Sequence, residues 1–418
     1  MQYPLEIVKK NKRYSIINGA HSMIMNTYSS FLALYAIHIL HANHQQVGLL
    51  NSLAAVVSLV TTIVGGYWFS QLELKKRFCG FSILFARIAL LLFALIPYIP
   101  IYQAWILVIL VGLMNIPASL ANLSWQSLMG DLIPEKERGK FFSYRNQILT
   151  IVGMIATATV GVILNLFDKD NPVPYQGLFI ITFIFGVLEA YYLFKHIELK
   201  EYSSKGTVEK DSLIVAMKKM WQTKPFLFFL ISSILFNFGW QMAWPLFNIY
   251  QIEYVHASAF WLSLFTVANQ LSQILTYKWW GRMADRFGNS MMLFVASVGM
   301  ATVPFLTVLS KNLYYLVFTN FWSGVSLSGT TLLLFNQLLA VSSEKSRSSY
   351  ITLYTIFIGF VGFIAPQVGV WILSIFGMNA AMDLSALIRL LGGVAFILVA
   401  FRVEQQRHKP LKDKSITQ

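Results

Sequence analysis

Nine stretches of the chain contain no Asp, Glu, Lys or Arg: residues 14–39, 46–72, 104–130, 146–167, 225–252, 254–277, 287–310, 312–343 and 348–382. Three more, 78–98, 176–194 and 384–401, are interrupted by one charge each, Arg87, Glu189 and Arg389. Apolar runs of about 18 or more residues match the hydrocarbon thickness of a bilayer. Inside that layer each backbone N–H and C=O must be paired within its own segment, so these runs predict helices. None alternates with period two, which sets aside a transmembrane barrel. The pattern predicts an all-α membrane protein with twelve transmembrane helices, here spans 1 to 12, in two pseudo-symmetric six-helix bundles.

Composition supports this. Of 418 residues, 56% are hydrophobic and 12% charged, with a mean hydropathy of +0.59. Soluble domains carry about 25% charged residues, and a chain of any size needs a polar skin in water. A soluble enzyme, a nucleic-acid binder and a secreted disulfide scaffold are excluded. The single cysteine, Cys79, leaves no internal disulfide. The basic N-terminus followed by an apolar run resembles a signal peptide, but the run from Tyr14 is about twice the usual length, so it reads as a retained first helix.

The net charge of +14 is distributed by side. Of 32 Lys and Arg, 28 lie in the two tails and the even-numbered connections, and only Lys169 and Lys311 in the alternate loops. By the positive-inside rule both termini are expected in the cytoplasm, and the chain in the cell membrane as a multi-pass protein. The longest polar stretch falls between spans 6 and 7. The expected organisation is therefore an N-terminal bundle over 1–196, a linker over 197–224, a C-terminal bundle over 225–402 and a tail over 403–418. Within the linker, Leu213, Ile214, Met217, Met220 and Trp221 share one face opposite Lys218 and Lys219, which predicts a short helix on the inner leaflet.

The halves also carry a repeat. Glu135-Lys136-Glu137-Arg138-Gly139-Lys140-Phe141 follows span 4, and Glu344-Lys345-Ser346-Arg347-Ser348-Ser349-Tyr350 follows span 10, an offset of 209. Between spans 8 and 9 stands Gly281-Arg282-Met283-Ala284-Asp285-Arg286-Phe287-Gly288-Asn289. This resembles the loop signature G-x-x-x-D-R-x-G-R of the major facilitator superfamily, and the likeness extends over essentially the whole chain. The run from Asp131 through Pro134, Arg138 and Gly139 to Arg145 is similar to the span 4–5 junction of bacterial members. The first-half copy of the loop signature departs, with Ser70 and Gln71 in place of the charged pair, and the antiporter signature of span 5 is absent. The resemblance implies alternating access to a midplane site between two halves, with Gly281, Asp285, Arg286, Gly288, Asp131, Arg138 and Arg145 at a gate. Gly281 is expected to let two helices approach closely and Gly288 to permit a tight turn.

In that family spans 1, 4, 7 and 10 line the cavity, and here all four carry polar residues. Span 4 has Asn115, Ser119, Asn122 and Gln126, and span 7 has Asn237, Gln241, Trp244 and Asn248, each set spaced along one helical face. Span 1 offers Asn18, Ser22 and Ser29 beside His21; span 10 offers Ser323, Ser326, Thr330 and Gln337. An amide facing lipid costs several kcal/mol, so these faces should point inward. They would serve either helix–helix hydrogen bonding or a cavity for a polar solute. Pro117 and Pro245 are candidate bends.

Charges within the bilayer are costly and default to functional candidates. Glu189 reads as a proton-coupling carboxylate or as the partner of an arginine, and Arg87 and Arg389 each need a carboxylate, carbonyls or an anionic substrate. His38, His41 and His44 share a broad face; without a cysteine or carboxylate nearby in sequence they read as a polar helix end rather than a metal site. No nucleotide-binding G-x-x-x-x-G-K-[ST] occurs, and no cofactor is implied. The expectation is a monomeric secondary transporter, not an enzyme, moving a small, polar organic solute with a coupling proton. Its partners are then that small-molecule substrate and the lipid bilayer, with no nucleic acid. The rivals are efflux of amphipathic drugs and a non-transporting receptor or scaffold.

Overall fold

The computed structural model describes residues 4–69, 75–198, 223–342 and 347–407. The predicted inner-leaflet helix and the Ser70–Gln71 position lie outside them. The first run is helical as α1 (Leu5–Met25) and α2 (Tyr28–His38), then α3 (His44–Phe69), α4 (Lys75–Leu95), α5 (Gln103–Leu132), α6 (Glu135–Leu164) and α7 (Val173–Phe194). After the linker come α8 (Lys224–Ile249), a π-turn (Tyr250–Tyr254), α9 (Ala259–Phe287), α10 (Asn289–Val308), α11 (Leu313–Val341) and α12 (Arg347–Arg407). No strand occurs among the described residues.

Nine stretches among the described residues are long and apolar enough to cross a bilayer. The count falls short of twelve for physical reasons. Span 1 is divided at Asn26–Thr27, where Thr27 N–H turns back to Ile24 O at 3.2 Å. Polar residues dilute α9. Spans 11 and 12 run together through α12 and are counted once, as Tyr350–Ile397. The boundary between those two spans was expected at Asp383; the backbone instead breaks at Gly377, whose φ of 83° ends one helical direction where a side chain would be strained.

The chain forms two compact units, Met1–Glu209 with Asn248–Gln270, and Lys210–Phe247 with Leu271–Gln418. In unit 1, α4 packs on α5 and α7, α3 on α5, and α1 on α6 and α7. In unit 2, α10 packs on both α11 and α12. The repeat recurs in backbone detail. The α2 corner has Tyr35, His41 and Ala42, and the α8 corner has Tyr250, His256 and Ala257. His41 and His256 adopt φ of 50° and 53°. In each, a 6→1 bond closes the helix end, Leu40 N–H to Tyr35 O at 3.3 Å and Val255 N–H to Tyr250 O at 3.1 Å, and a wider bond follows, Ala42 N–H to Ala36 O at 2.8 Å and Ala257 N–H to Gln251 O at 2.9 Å.

Candidate transport site

The α5 stripe divides by depth. Asn115 is half-buried; its Nδ2 donates to Val111 O, and its Oδ1 accepts from Ser58 of α3 at 3.2 Å. Ser119 is half-buried. Asn122 and Gln126 are exposed, and Gln126 Nε2 donates to Asn122 Oδ1 at 3.3 Å. They stand about 15 Å and 9 Å along the helix from its Leu132 end. Beside them Trp125 receives the Arg145 guanidinium on its ring face at 4.7 Å. In span 1, Asn18 is buried and donates to Glu189 O at 2.7 Å, and His21 stacks on Tyr192 at 5.2 Å. Asn26, which sequence reasoning passed over, is exposed at the helix break. The signal that could have found it is an Asn-Thr-Tyr-Ser-Ser polar run inside span 1.

In unit 2 the stripe is mostly packed inside. Asn237 is buried and bonded to Ser233 O at 2.8 Å, and Gln241 is buried. Thr330 is buried and donates to Ser326 O, while buried Gln337 accepts from Asn289 and Ser290. Ser323 is half-buried, as is Asn248 where the chain passes into unit 1, and Trp244 and Trp322 remain exposed at 39% and 37%. Inward-facing polarity is therefore tied back to its own helix at Asn237 and Thr330, joins two helices at Gln337, and offers accessible groups chiefly on α5 and at the tryptophans.

The three intramembrane charges find different partners. Arg87 Nε and Nη2 donate to Glu189 Oε2 at 3.1 and 2.9 Å, with side-chain exposures of 12% and 7%. Arg389 is fully buried without a carboxylate. It donates to Gly239 O, Met300 O and Trp240 O at 3.2, 3.0 and 3.2 Å. Glycines at 239 and 392 let the α8 and α12 backbones meet there; a Cβ on Gly239 would lie 2.8 Å from Arg389 N.

At the end where the basic residues gather, Asp131 Oδ2 accepts from Lys75 Nζ at 2.5 Å in a buried pair. Lys12 pairs with Glu137. Glu198 caps α4, accepting from Lys75 N and Lys76 N at 2.8 and 2.9 Å. Asn11 and Ile197 exchange reciprocal bonds. Burial, opposed by carbonyl contacts and reinforced by Lys76 and Arg145, pushes the His196 imidazole from 6.5 to about 4. Arg138 folds back on Ile133 O and Gly130 O. Arg145 is buried and donates to Ser15 O at 3.1 Å. Asp285 and Arg286 are exposed. Gly288 takes φ 88° just before α10, as a tight turn requires. At Gly281 the expectation fails: a Cβ there would meet nothing within 4 Å among the described residues, so no close helix approach depends on it.

No group of three or more His, Cys, Asp or Glu among the described residues is arranged to hold a metal ion. His44 meets Glu253 instead, at 2.7 Å.

Helices of this length and apolarity make the chain a multi-pass membrane protein. The profile described as Major Facilitator Superfamily matches residues 14–267 and 229–417, and the chain belongs to that family. It is a transporter rather than an enzyme. A multidrug resistance protein, MdtG, of Dickeya zeae (strain Ech586) is 30% identical over 141 residues, which span 33% of this chain and 32% of the relative. Among solved structures, the nucleoside transporter NupG superposes with a TM-score of 0.70 at 14% identity, covering 96% of this chain and 99% of that one. A D-xylose–proton symporter gives 0.69 at 14%, covering 93% and 97%. These similarities define the fold.

Proposed function

We propose that this transporter moves a small polar organic solute across the cell membrane by alternating access, driven by a proton. Both termini lie in the cytoplasm on this reading, as the 28-residue basic bias indicates. The observation that carries it is the exposed amide pair of Asn122 and Gln126, in the second half of a membrane-length helix. Amides turned to lipid there would cost several kcal/mol, whereas amides turned to a wet pathway cost nothing and present two donors and two acceptors. On the same helix Ser119 and Trp125 add half-buried hydroxyl and aromatic surface suited to an uncharged or zwitterionic solute, and unit 2 separately presents Trp244 and Ser323. Asp285 serves as the gate anion of the second half. The halves exchange access to the site as two bundles, 1–196 and 225–402, joined by the linker.

Efflux of amphipathic compounds is the second reading. The partial match to a multidrug resistance protein favours it; the absence of a carboxylate from spans 1 and 4 argues against it. Melting the purified protein with pentoses, nucleosides, amino acids and amphipathic cations separates the two. Stabilisation by a polar solute that Asn122→Leu abolishes supports the first; stabilisation only by amphipathic cations supports the second.

A further inference from the structure

A titratable cluster lies at the end of unit 1 remote from the main group of basic residues. His44 Nε2 lies 2.7 Å from Glu253 Oε2, with both side chains about a third exposed to water. His44 opens α3, and a reciprocal cap fixes its backbone: Gln46 N donates to Asn43 Oδ1 and Asn43 N to Gln46 Oε1, both at 2.9 Å. Glu253 stands in the π-turn Tyr250–Tyr254, a backbone departure frequent at functional positions.

The place of Glu253 in the chain gives the contact its consequence. Asn248–Gln270 packs in unit 1, yet at both ends it continues inside a helix into unit 2, through α8 and through α9. Two of its attachments are defined by named atoms. Gly161 of α6 lies against Ala259 O and Ser263, where a Cβ on the glycine would stand 2.9 Å from the carbonyl. The other is His44–Glu253, the one ion pair among the described residues that joins this segment to the rest of unit 1. The charged neighbours are few. His38 of α2 faces Asp170 at 3.9 Å, and Lys169, Glu253 and His256 also act on it.

Protonation decides how strong this attachment is. A neutral imidazole hydrogen-bonds the carboxylate with one charge in the pair; an imidazolium adds the second charge and with it the ion-pair attraction. A cation at the first residue of a helix also opposes the helix dipole, so the imidazolium depends on Glu253 being present. We infer that His44 and Glu253 form a proton-operated clasp that holds Asn248–Gln270 on unit 1 in acid and loosens as the imidazole loses its proton. Its consequence, opening on that side of the membrane, rests on the transport reading; the clasp itself is testable without any solute.

The test places spin labels at Asn51 of α3 and Ser258 of the segment, in a Cys79→Ala background, and measures their distance distribution against pH. The long-distance population should rise by up to about fivefold between about pH 5.5 and about pH 8, as a partly exposed pair loses one of its two charges. His44→Gln and Glu253→Gln should each abolish that dependence, and His38→Gln should leave it intact. A distribution that ignores pH in the wild type would overturn the clasp. So would a dependence that survives His44→Gln or disappears in His38→Gln. Should Glu253→Gln fail to fold, His44→Gln alone decides. Failure to find a transported solute would touch the transport reading and leave these distances as they are.

Discussion

Removing Glu189 should unfold unit 1 well before it affects any coupling. Its carboxylate takes two N–H donors from Arg87 in a pair with little access to water. Glu189→Gln deletes the charge and leaves a guanidinium enclosed among α4, α7 and Gly186. Breaking one partner of a buried pair costs about 3–5 kcal/mol, and an arginine stranded at membrane depth about 3 kcal/mol on insertion scales. At about 2–4 °C per kcal/mol for a unit of this size, the unfolding temperature should fall by roughly 6–20 °C. The protein carries its own probe. Cys79 is its single cysteine, fully buried on α4 about two turns before Arg87, so a thiol-reactive dye reports the opening of this helix. Arg87→Met should cost a similar amount, and the Arg87→Met/Glu189→Met double variant should recover most of it, because no unpaired charge remains. A double variant as unstable as the sum of the singles would refute the pairing argument. So would a Glu189→Gln protein that unfolds at the wild-type temperature.

Other outcomes follow from the same coordinates. Gly239→Ala should abolish accumulation of folded protein, since the new Cβ meets the α12 backbone, whereas Gly130→Ala, with nothing within 4 Å, should be tolerated or stabilising by about 0.5–1 kcal/mol; expression and melting distinguish them. Arg389→Lys should lower the melting temperature nearly as far as Arg389→Met, because one ammonium cannot span three carbonyls on two elements. His196 is held neutral, from 6.5 down to about 4, so the unfolded chain binds more protons in that window and stability should fall on acidification from about pH 6.5 to about pH 4. His196→Gln should flatten that slope, measured by melting across pH. Single cysteines at Asn122 and Gln126 on the Cys79→Ala background should react with a small polar thiol reagent, while one at the buried Ser124 should not.

The sequence made the helices legible because hydrocarbon leaves the backbone no alternative, and each of α3 to α11 overlaps an apolar run with no charge or one. The break between spans 11 and 12 was misplaced because charge at Asp383 marks polarity, while the chain turns where φ becomes positive, at Gly377. The polar stripes were visible as spacing, but spacing does not tell a packed amide from a wet one. Asn237 and Thr330 answer to their own helices, and Asn122 and Gln126 stay exposed. The Arg87–Glu189 pair was within reach, since two opposite intramembrane charges invite each other. The partner of His44 was not, for Glu253 lies 209 residues away and no local pattern connects them.

The solute pathway past Asn122 and Gln126 is the central claim, and flux tests it most directly. Protein reconstituted in vesicles with an acidic exterior would be offered labelled nucleoside, pentose and amphipathic cation in turn, with uptake followed over time. The account predicts saturable accumulation of a polar solute that a protonophore collapses. It also predicts that the Asn122→Leu/Gln126→Leu variant loses this accumulation while melting at the wild-type temperature. Uptake at the wild-type rate in that variant, or movement of the amphipathic cation alone, would contradict it.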